Sequence, residues 1–212
     1  MKVIETNGIT YLEKFDASSE WYWGTDFSCG DLYEAEDVFL MGRHFVPNRL
    51  IFVHYPDGAV YEPMKARENQ YFGRPAYIDG KMYILLVNFK NKQIGIYEFV
   101  NKEEKVVSVA EISLDEIRDC YNLGICGSPL MLIRQGGENQ FQVVWPEKAE
   151  FTIGNREAFY KRVDNKLYFS EWHEDPEYRE EVNVRAFPSG ELLEKLNGTL
   201  LGMPDGQQWV LR

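Results

Sequence analysis

The chain has 212 residues, 44% of them hydrophobic and 15% aromatic, with a formal charge of −11 and a pI near 4.8. That composition excludes a disordered chain, and the charge argues against nucleic-acid or membrane-surface partners unless a local basic stripe offsets it. The basic runs Lys90-Asn-Lys92 and Lys65-Ala-Arg67 are too short to form one.

At the N-terminus, Met1–Gly8 contains no apolar signal core, and no apolar run approaches the roughly 20 residues of a membrane helix. Cys29, Cys120 and Cys126 are an odd, sparse set that gives no disulfide framework and reads as reduced thiols. The expectation is a cytoplasmic protein, a single domain over residues 1–212.

Apolar or alternating runs recur along the chain: Leu50–Tyr55, Met82–Phe89, Gln93–Val100, Val106–Ile112, Phe141–Trp145 and Lys166–Trp172. Turn residues separate them every 8–12 or so positions, which reads as all-β. The turns fall into two classes. The first precedes a large anchor residue: Gly30-Asp-Leu-Tyr33, Asp79-Gly-Lys-Met-Tyr83, Gly127-Ser-Pro-Leu-Met131, Asp164-Asn-Lys-Leu-Tyr168 and Asp205-Gly-Gln-Gln-Trp209. The second is Thr6-Asn-Gly8, Pro56-Asp-Gly58, Pro146-Glu-Lys148 and Pro188-Ser-Gly190, three of them directly after an aromatic residue. The remaining unit uses the longer turn Asn101–Lys105.

Steps between successive anchors are 50, 48, 37 and 41 residues, and wrapping from Trp209 through the termini to Tyr33 gives 36. The mean of about 42 fits a four-stranded propeller blade. The blade that fits best runs Gly73–Asp79, Met82–Phe89, Gln93–Val100, Val106–Ile112. A fifth blade is split: inner strands Thr199–Met203 and Gln208–Arg212 join outer strands Lys2–Glu5 and Ile9–Phe15, closing the ring and hiding sheet edges. A barrel or β-sandwich shares the turn rhythm; the fixed alternation of turn classes and the closure of the count favour the propeller. One helix is predicted, Leu114–Cys120, behind a Ser113/Glu116 capping box.

This repeat resembles the β-propeller superfamily over essentially the whole chain, as a five-bladed all-β propeller. The resemblance lies in rhythm; Trp-Asp blade endings and Gly-Gly kelch doublets in register are absent. Five-bladed families include tachylectin-like sugar-binding proteins and arabinanase- and fructosidase-type glycosidases, so the resemblance implies a shape and permits several activities.

The resemblance places a ligand at the mouth of a central channel. Trp21, Tyr22, Trp23, Tyr71, Phe72 and Tyr121 cluster where the chain enters predicted inner strands, a composition suited to sugars, peptides or planar ligands and equally to filling space between blades. Arg74, held between Gly73 and Pro75, is expected to project into the mouth and meet either an anionic ligand or Asp26. His44 and His173 fall in loops on the same face, His173 beside Glu174 and Asp175; two histidines from separate loops are too few to assign a metal, and no cofactor is implied. A glycosidase needs paired carboxylates. Only Asp26 lies well inside a predicted inner strand, with Glu20 and Glu157 near strand starts. The expectation is therefore a noncatalytic module that binds a small molecule, a saccharide or a protein through Trp21, Trp23, Asp26, Tyr71, Arg74, Tyr121, His44 and His173, the alternative being a glycosidase-like enzyme on a short saccharide.

Overall fold

A computed structural model describes residues 1–203 and 207–212. The chain divides into two compact units, Met1–Ile125 and Cys126–Arg212. It is all-β in its sheets, and its successive antiparallel meanders are propeller-like. Among the described residues, blade-type sheets number four, not five.

The first sheet runs β1 (Glu13–Lys14), β2 (Trp21–Thr25), β3 (Leu50–His54), β4 (Val60–Tyr61), with helix α1 (Leu32–Leu40) between β2 and β3. The second contains β5 (Gln70–Phe72), β6 (Ala76–Ile78), β7 (Lys81–Asn88), β8 (Gln93–Val100) and β9 (Lys105–Ser113). The third runs β10 (Gly124–Cys126), β11 (Met131–Gln135), β12 (Gln140–Trp145), β13 (Ala149–Thr152). The fourth runs β14 (Glu157–Val163), β15 (Lys166–His173), β16 (Arg179–Ala186), β17 (Leu192–Asn197), and a two-stranded hairpin, β18 (Thr199–Gly202) and β19 (Gln208–Leu211), ends the chain. No helix among the described residues is long and apolar enough to cross a membrane.

The second turn class is a real repeat. Tyr55-Pro56, Trp145-Pro146 and Phe187-Pro188 each join the third and fourth strands of a sheet, and each is a cis peptide. The hydrogen bonds repeat too: Gly58 N to His54 O and Gly190 N to Ala186 O are both 2.8 Å. Gly58 and Gly190 sit at φ +72° and +73°, a conformation that costs glycine least. In the second sheet a 3₁₀ turn, Asn101–Glu103, takes this place.

Two corrections explain the missing fifth blade. Gly30-Asp31-Leu-Tyr33 is a helix start and not a hairpin. The Asp31 side chain accepts the Glu34 N–H and the Glu34 carboxylate accepts the Asp31 N–H, a complete capping box. Tyr33 therefore never anchored a strand. The termini also do not share a blade. Residues 2–5 form no strand, and Ile4, Ile9 and Leu12 pack on Ile51 and Val53. That burial gives the N-terminal segment a place on the first sheet, where Lys2 donates to the carbonyls of Pro56 and Asp57. The C-terminal hairpin pairs only with itself among the described residues; the Asp205-Gly206 turn predicted there lies outside them. The helix expected over Leu114–Cys120 is a single 3₁₀ turn, Leu114–Glu116, in which the Ser113 hydroxyl accepts the Asp115 N–H.

The first unit's core joins Trp21, Trp23, Leu50 and Phe52 to Phe72, Ile84, Leu86 and Phe99. The second unit's core joins Met131, Phe141 and Val143 to Leu167 and Phe169. The inner strand predicted over Gly73–Asp79 is interrupted. Phe72 pairs with Leu86, Gly73 N bonds Leu85 O, and Ala76 pairs with Tyr83, so Arg74 and Pro75 face one residue of β7. This is a β-bulge, tolerant of a proline that has no N–H to give. A Cβ on Gly73 would lie 2.7 Å from a Leu85 methyl, so a larger residue there must displace that buried side chain.

Candidate functional site

The eight residues expected at a ligand site occupy very different places. Trp21 and Trp23 are core residues of the first sheet. Tyr71 is 1% exposed; its hydroxyl donates to Gly30 O at 2.7 Å and accepts the Cys29 N–H at 3.0 Å, tying down the loop before α1. Asp26 is exposed just after β2 and accepts the Arg49 N–H at 3.1 Å. Arg74 meets Glu13 at 3.2 Å, not Asp26, and its guanidinium lies 5.7 Å from the centre of the Trp23 ring. Tyr121 is exposed and stands edge-on to Tyr33, with centroids 5.2 Å apart. His44 is exposed in the segment after α1. Only His173 enters a cluster of functional groups.

That cluster is on the fourth sheet. Side chains of directly paired residues share a face. The pairing Phe159–Phe169–Asn183–Lys195 and the pairing Glu157–Glu171–Glu181–Asn197 therefore form two neighbouring rows across β14 to β17. Phe159 and Phe169 belong to the core cluster, so this face is the covered one. One register step further, three glutamates stand side by side on three adjacent strands. His173, two residues beyond Glu171, extends the same face.

Like charges directly opposite each other repel. Four groups compensate. Arg185 grips Glu157 with two bonds, Nε to Oε1 at 3.1 Å and Nη2 to Oε2 at 2.8 Å. Asn183 donates its amide to Glu157 at 2.5 Å and to Glu171 at 2.7 Å. Lys195 donates to Glu171 Oε2 at 2.9 Å and to Glu181 Oε2 at 3.5 Å. Arg179 approaches the other Glu181 oxygen at 3.6 Å. Partial burial works to raise the Glu171 carboxyl, but the bonds from Lys195 and Asn183 outweigh it and hold the group below its ordinary range. The bond to Glu171 correspondingly pushes the Lys195 ammonium up.

His173 is left over. Its Nε2 lies 3.6 Å from Glu171 Oε1 and 3.5 Å from Glu181 Oε2, yet it is buried without a hydrogen-bond partner. Its Nδ1 is 3.5 Å from Arg156, whose guanidinium lies over the Trp172 ring. Asn183, 2% exposed, also keeps a buried carbonyl oxygen with no partner. The arrangement can hold a positively charged group against two carboxylates and an imidazole nitrogen.

Sequence reasoning placed His173 in a loop beside Glu174 and Asp175; it closes β15 instead, with Glu171 and Glu181 as its neighbours. The available signal was Glu171-Trp-His173, two polar residues at period two ending an apolar run. The register that brings Glu181 opposite Glu171 is set by the intervening loop and was not legible.

No model of a known protein family matches the chain, and no curated protein is significantly similar to it in sequence.

Proposed function

We propose that the chain is a noncatalytic binding module whose site is the charged end of the fourth sheet, and that its ligand is small and carries a positive charge. One observation carries this reading: Glu157, Glu171 and Glu181 occupy a single cross-strand row on a covered face. Holding three like charges side by side and largely out of water is costly, so the row is not explained by stability. Lys195 supports the ligand class, because a tethered ammonium already lies against two of the carboxylates, with its side chain 47% exposed and free to swing out. Asp26, which accepts the Arg49 N–H, and Glu157, which Arg185 holds, lend no support to the glycosidase alternative.

A ligand that binds the native state raises its melting temperature with concentration. A thermal-shift series with small polyamines, neutral oligosaccharides and small carboxylates tests the proposal. A polyamine is expected to raise the melting temperature, and Glu171→Gln to abolish the rise. A rise with saccharides alone would sink the ligand class, and one that survives Glu171→Gln would sink the site.

A further inference from the structure

We infer that Glu171, His173 and Glu181 are a three-ligand site for a divalent metal ion of the zinc class, an inference that rests on the cation-binding reading of this cluster. The three donor atoms lie within 4.8 Å of one another. Ligand bonds of about 2.0–2.2 Å at tetrahedral angles put neighbouring donor atoms about 3.3–3.6 Å apart. His173 Nε2 stands 3.6 Å from Glu171 Oε1 and 3.5 Å from Glu181 Oε2, and it forms a hydrogen bond with neither. Those separations are poor for hydrogen bonding and right for donors that share a cation.

The surrounding groups select these donor atoms. Asn183 and Lys195 occupy Glu171 Oε2, which leaves Oε1 facing the imidazole. Arg179 approaches Glu181 Oε1, which leaves Oε2 facing it. Outer partners of this kind orient the ligands of a metal. The sign of a missing occupant is His173 Nε2 itself, an atom buried between two carboxylates with no hydrogen-bond partner. Asn183, 2% exposed, holds the row in place by donating its amide to Glu157 and Glu171. All three donors sit on paired strands, so the set is rigid: Glu171 and His173 are two apart on β15, and Glu181 is paired with Glu171 from β16. Three protein donors leave a position for water or for a ligand atom.

Two neighbours oppose the ion. Lys195 shares Glu181 Oε2 at 3.5 Å and must retreat, which its exposed side chain allows. Ligation through Nε2 puts the ring proton on Nδ1, so the Arg156 contact at 3.5 Å must open. The affinity is thereby tuned down, and Lys195→Met is expected to tighten it.

The test is calorimetric titration of the chelator-treated full chain with zinc chloride, using magnesium chloride as the hard-ion control, alongside spermidine. Expected are one zinc per chain, tenfold or greater weakening in His173→Gln and in Glu181→Gln, tightening in Lys195→Met, and no change in His44→Gln. Both weakening variants are checked for an unchanged melting temperature, and either one suffices if the other fails to fold. Zinc binding that is indifferent to both would overturn the inference, since the thiols or surface carboxylates would then hold the ion. Absence of zinc binding in wild type and in Lys195→Met would also overturn it. Spermidine binding in that case leaves the cation-binding reading intact, and its absence too defeats both.

Discussion

The first and fourth sheets are built to one plan and filled differently. Each has four strands, and each joins its third to its fourth through an aromatic–proline turn closed by the same hydrogen bond. Across the middle of the first sheet runs Trp23–Phe52–Tyr61; across the fourth runs Glu157–Glu171–Glu181. The aromatic row stabilises by removing apolar area from water. The glutamate row removes charge from water and depends on Arg185, Asn183 and Lys195 to remain tolerable. Backbone plan and turn chemistry are thus independent of what a covered row is for, and the row that works against stability is the one to examine for function.

The largest effects should come from breaking each row at its tightest point. Phe52→Ala in the first sheet is expected to cost about 3–5 kcal/mol through lost transfer and an unfilled cavity. Arg185→Met in the fourth should cost a similar amount, about 3–5 kcal/mol, for a different reason: the Glu157 side chain, 1% exposed, loses its bidentate cation and keeps only the neutral donors of Asn183 and the Gly154 N–H. Urea denaturation measures both. The causes separate on rescue, because adding Glu157→Gln should recover much of the Arg185→Met loss and nothing of the Phe52→Ala loss. A cost below about 1 kcal/mol for Arg185→Met would mean that water reaches Glu157, and the contrast between the sheets would fail.

Converting the charged row to an apolar one is the next test. The combined change Glu171→Leu, Glu181→Leu, Lys195→Met should leave the fold intact and its stability unchanged or slightly raised, because the ion pairs removed are only partly buried, with side chains 16%, 18% and 47% exposed, and contribute about 0–1 kcal/mol. The same protein should no longer bind spermidine. A net loss of stability would show that the row is structural, and the first and fourth sheets would differ in chemistry only.

Most strands were legible because their signal is local. Gln93–Val100 coincides with β8, and the aromatic–proline turns were placed correctly because proline fixes φ and glycine admits positive φ wherever they occur. The blade count failed at two points where longer-range packing decided. Asp31 and Glu34 formed a helix cap inside what read as a hairpin, and Ile4 and Ile9 found the face of the first sheet instead of the C-terminal hairpin. The site was nearly invisible for a related reason. In β16, Val182-Asn183-Val184-Arg185 alternates like a strand with one face in solvent, yet Asn183 is as buried as the valines. Alternation distinguishes two faces but does not reveal that both are covered. Conversely, Trp21, Trp23 and Tyr71 read as a binding surface because aromatic residues suit both ligands and cores, and here they are core.

A smaller effect is expected at Glu36 on α1, a charge buried in the unit whose sheets are otherwise filled with apolar rows. It is 8% exposed and accepts the Cys120 N–H at 2.7 Å. Burial pushes its carboxyl up, Asp119 and Asp37 add to this, and the Cys120 bond opposes it. A carboxyl raised on folding favours the protonated native state, so its contribution is present at acid pH and lost as pH rises through the native value. Glu36→Gln keeps an acceptor for Cys120 and removes the charge. Its melting temperature should exceed that of wild type at pH 7, and the gap should close as pH falls to about 4, below which both side chains are neutral. A gap that is constant with pH would show that Glu36 acts through shape and not charge.

The smallest effect is expected at Arg74, the cation at the bulge of the second sheet. Its side chain is 62% exposed, its partner Glu13 is 30% exposed, and they meet at 3.2 Å. Ion pairs so open to water contribute about 0–1 kcal/mol, because solvent screens the attraction and both side chains lose freedom. The Trp23 ring, 5.7 Å away, adds an exposed-type cation–π contact of about 0.5–1 kcal/mol. The bulge itself rests on the close approach of Gly73 to Leu85 and on Pro75, neither of which needs the arginine side chain. Arg74→Ala should therefore cost about 1 kcal/mol or less in urea denaturation, and high salt should narrow the difference. It should also leave spermidine binding unchanged, since the proposed donors all lie in the fourth sheet. A cost above about 2 kcal/mol would mean that Arg74 braces the bulge. Loss of spermidine binding would return Arg74 to the binding site and remove the division of labour between an apolar first sheet and a charged fourth one.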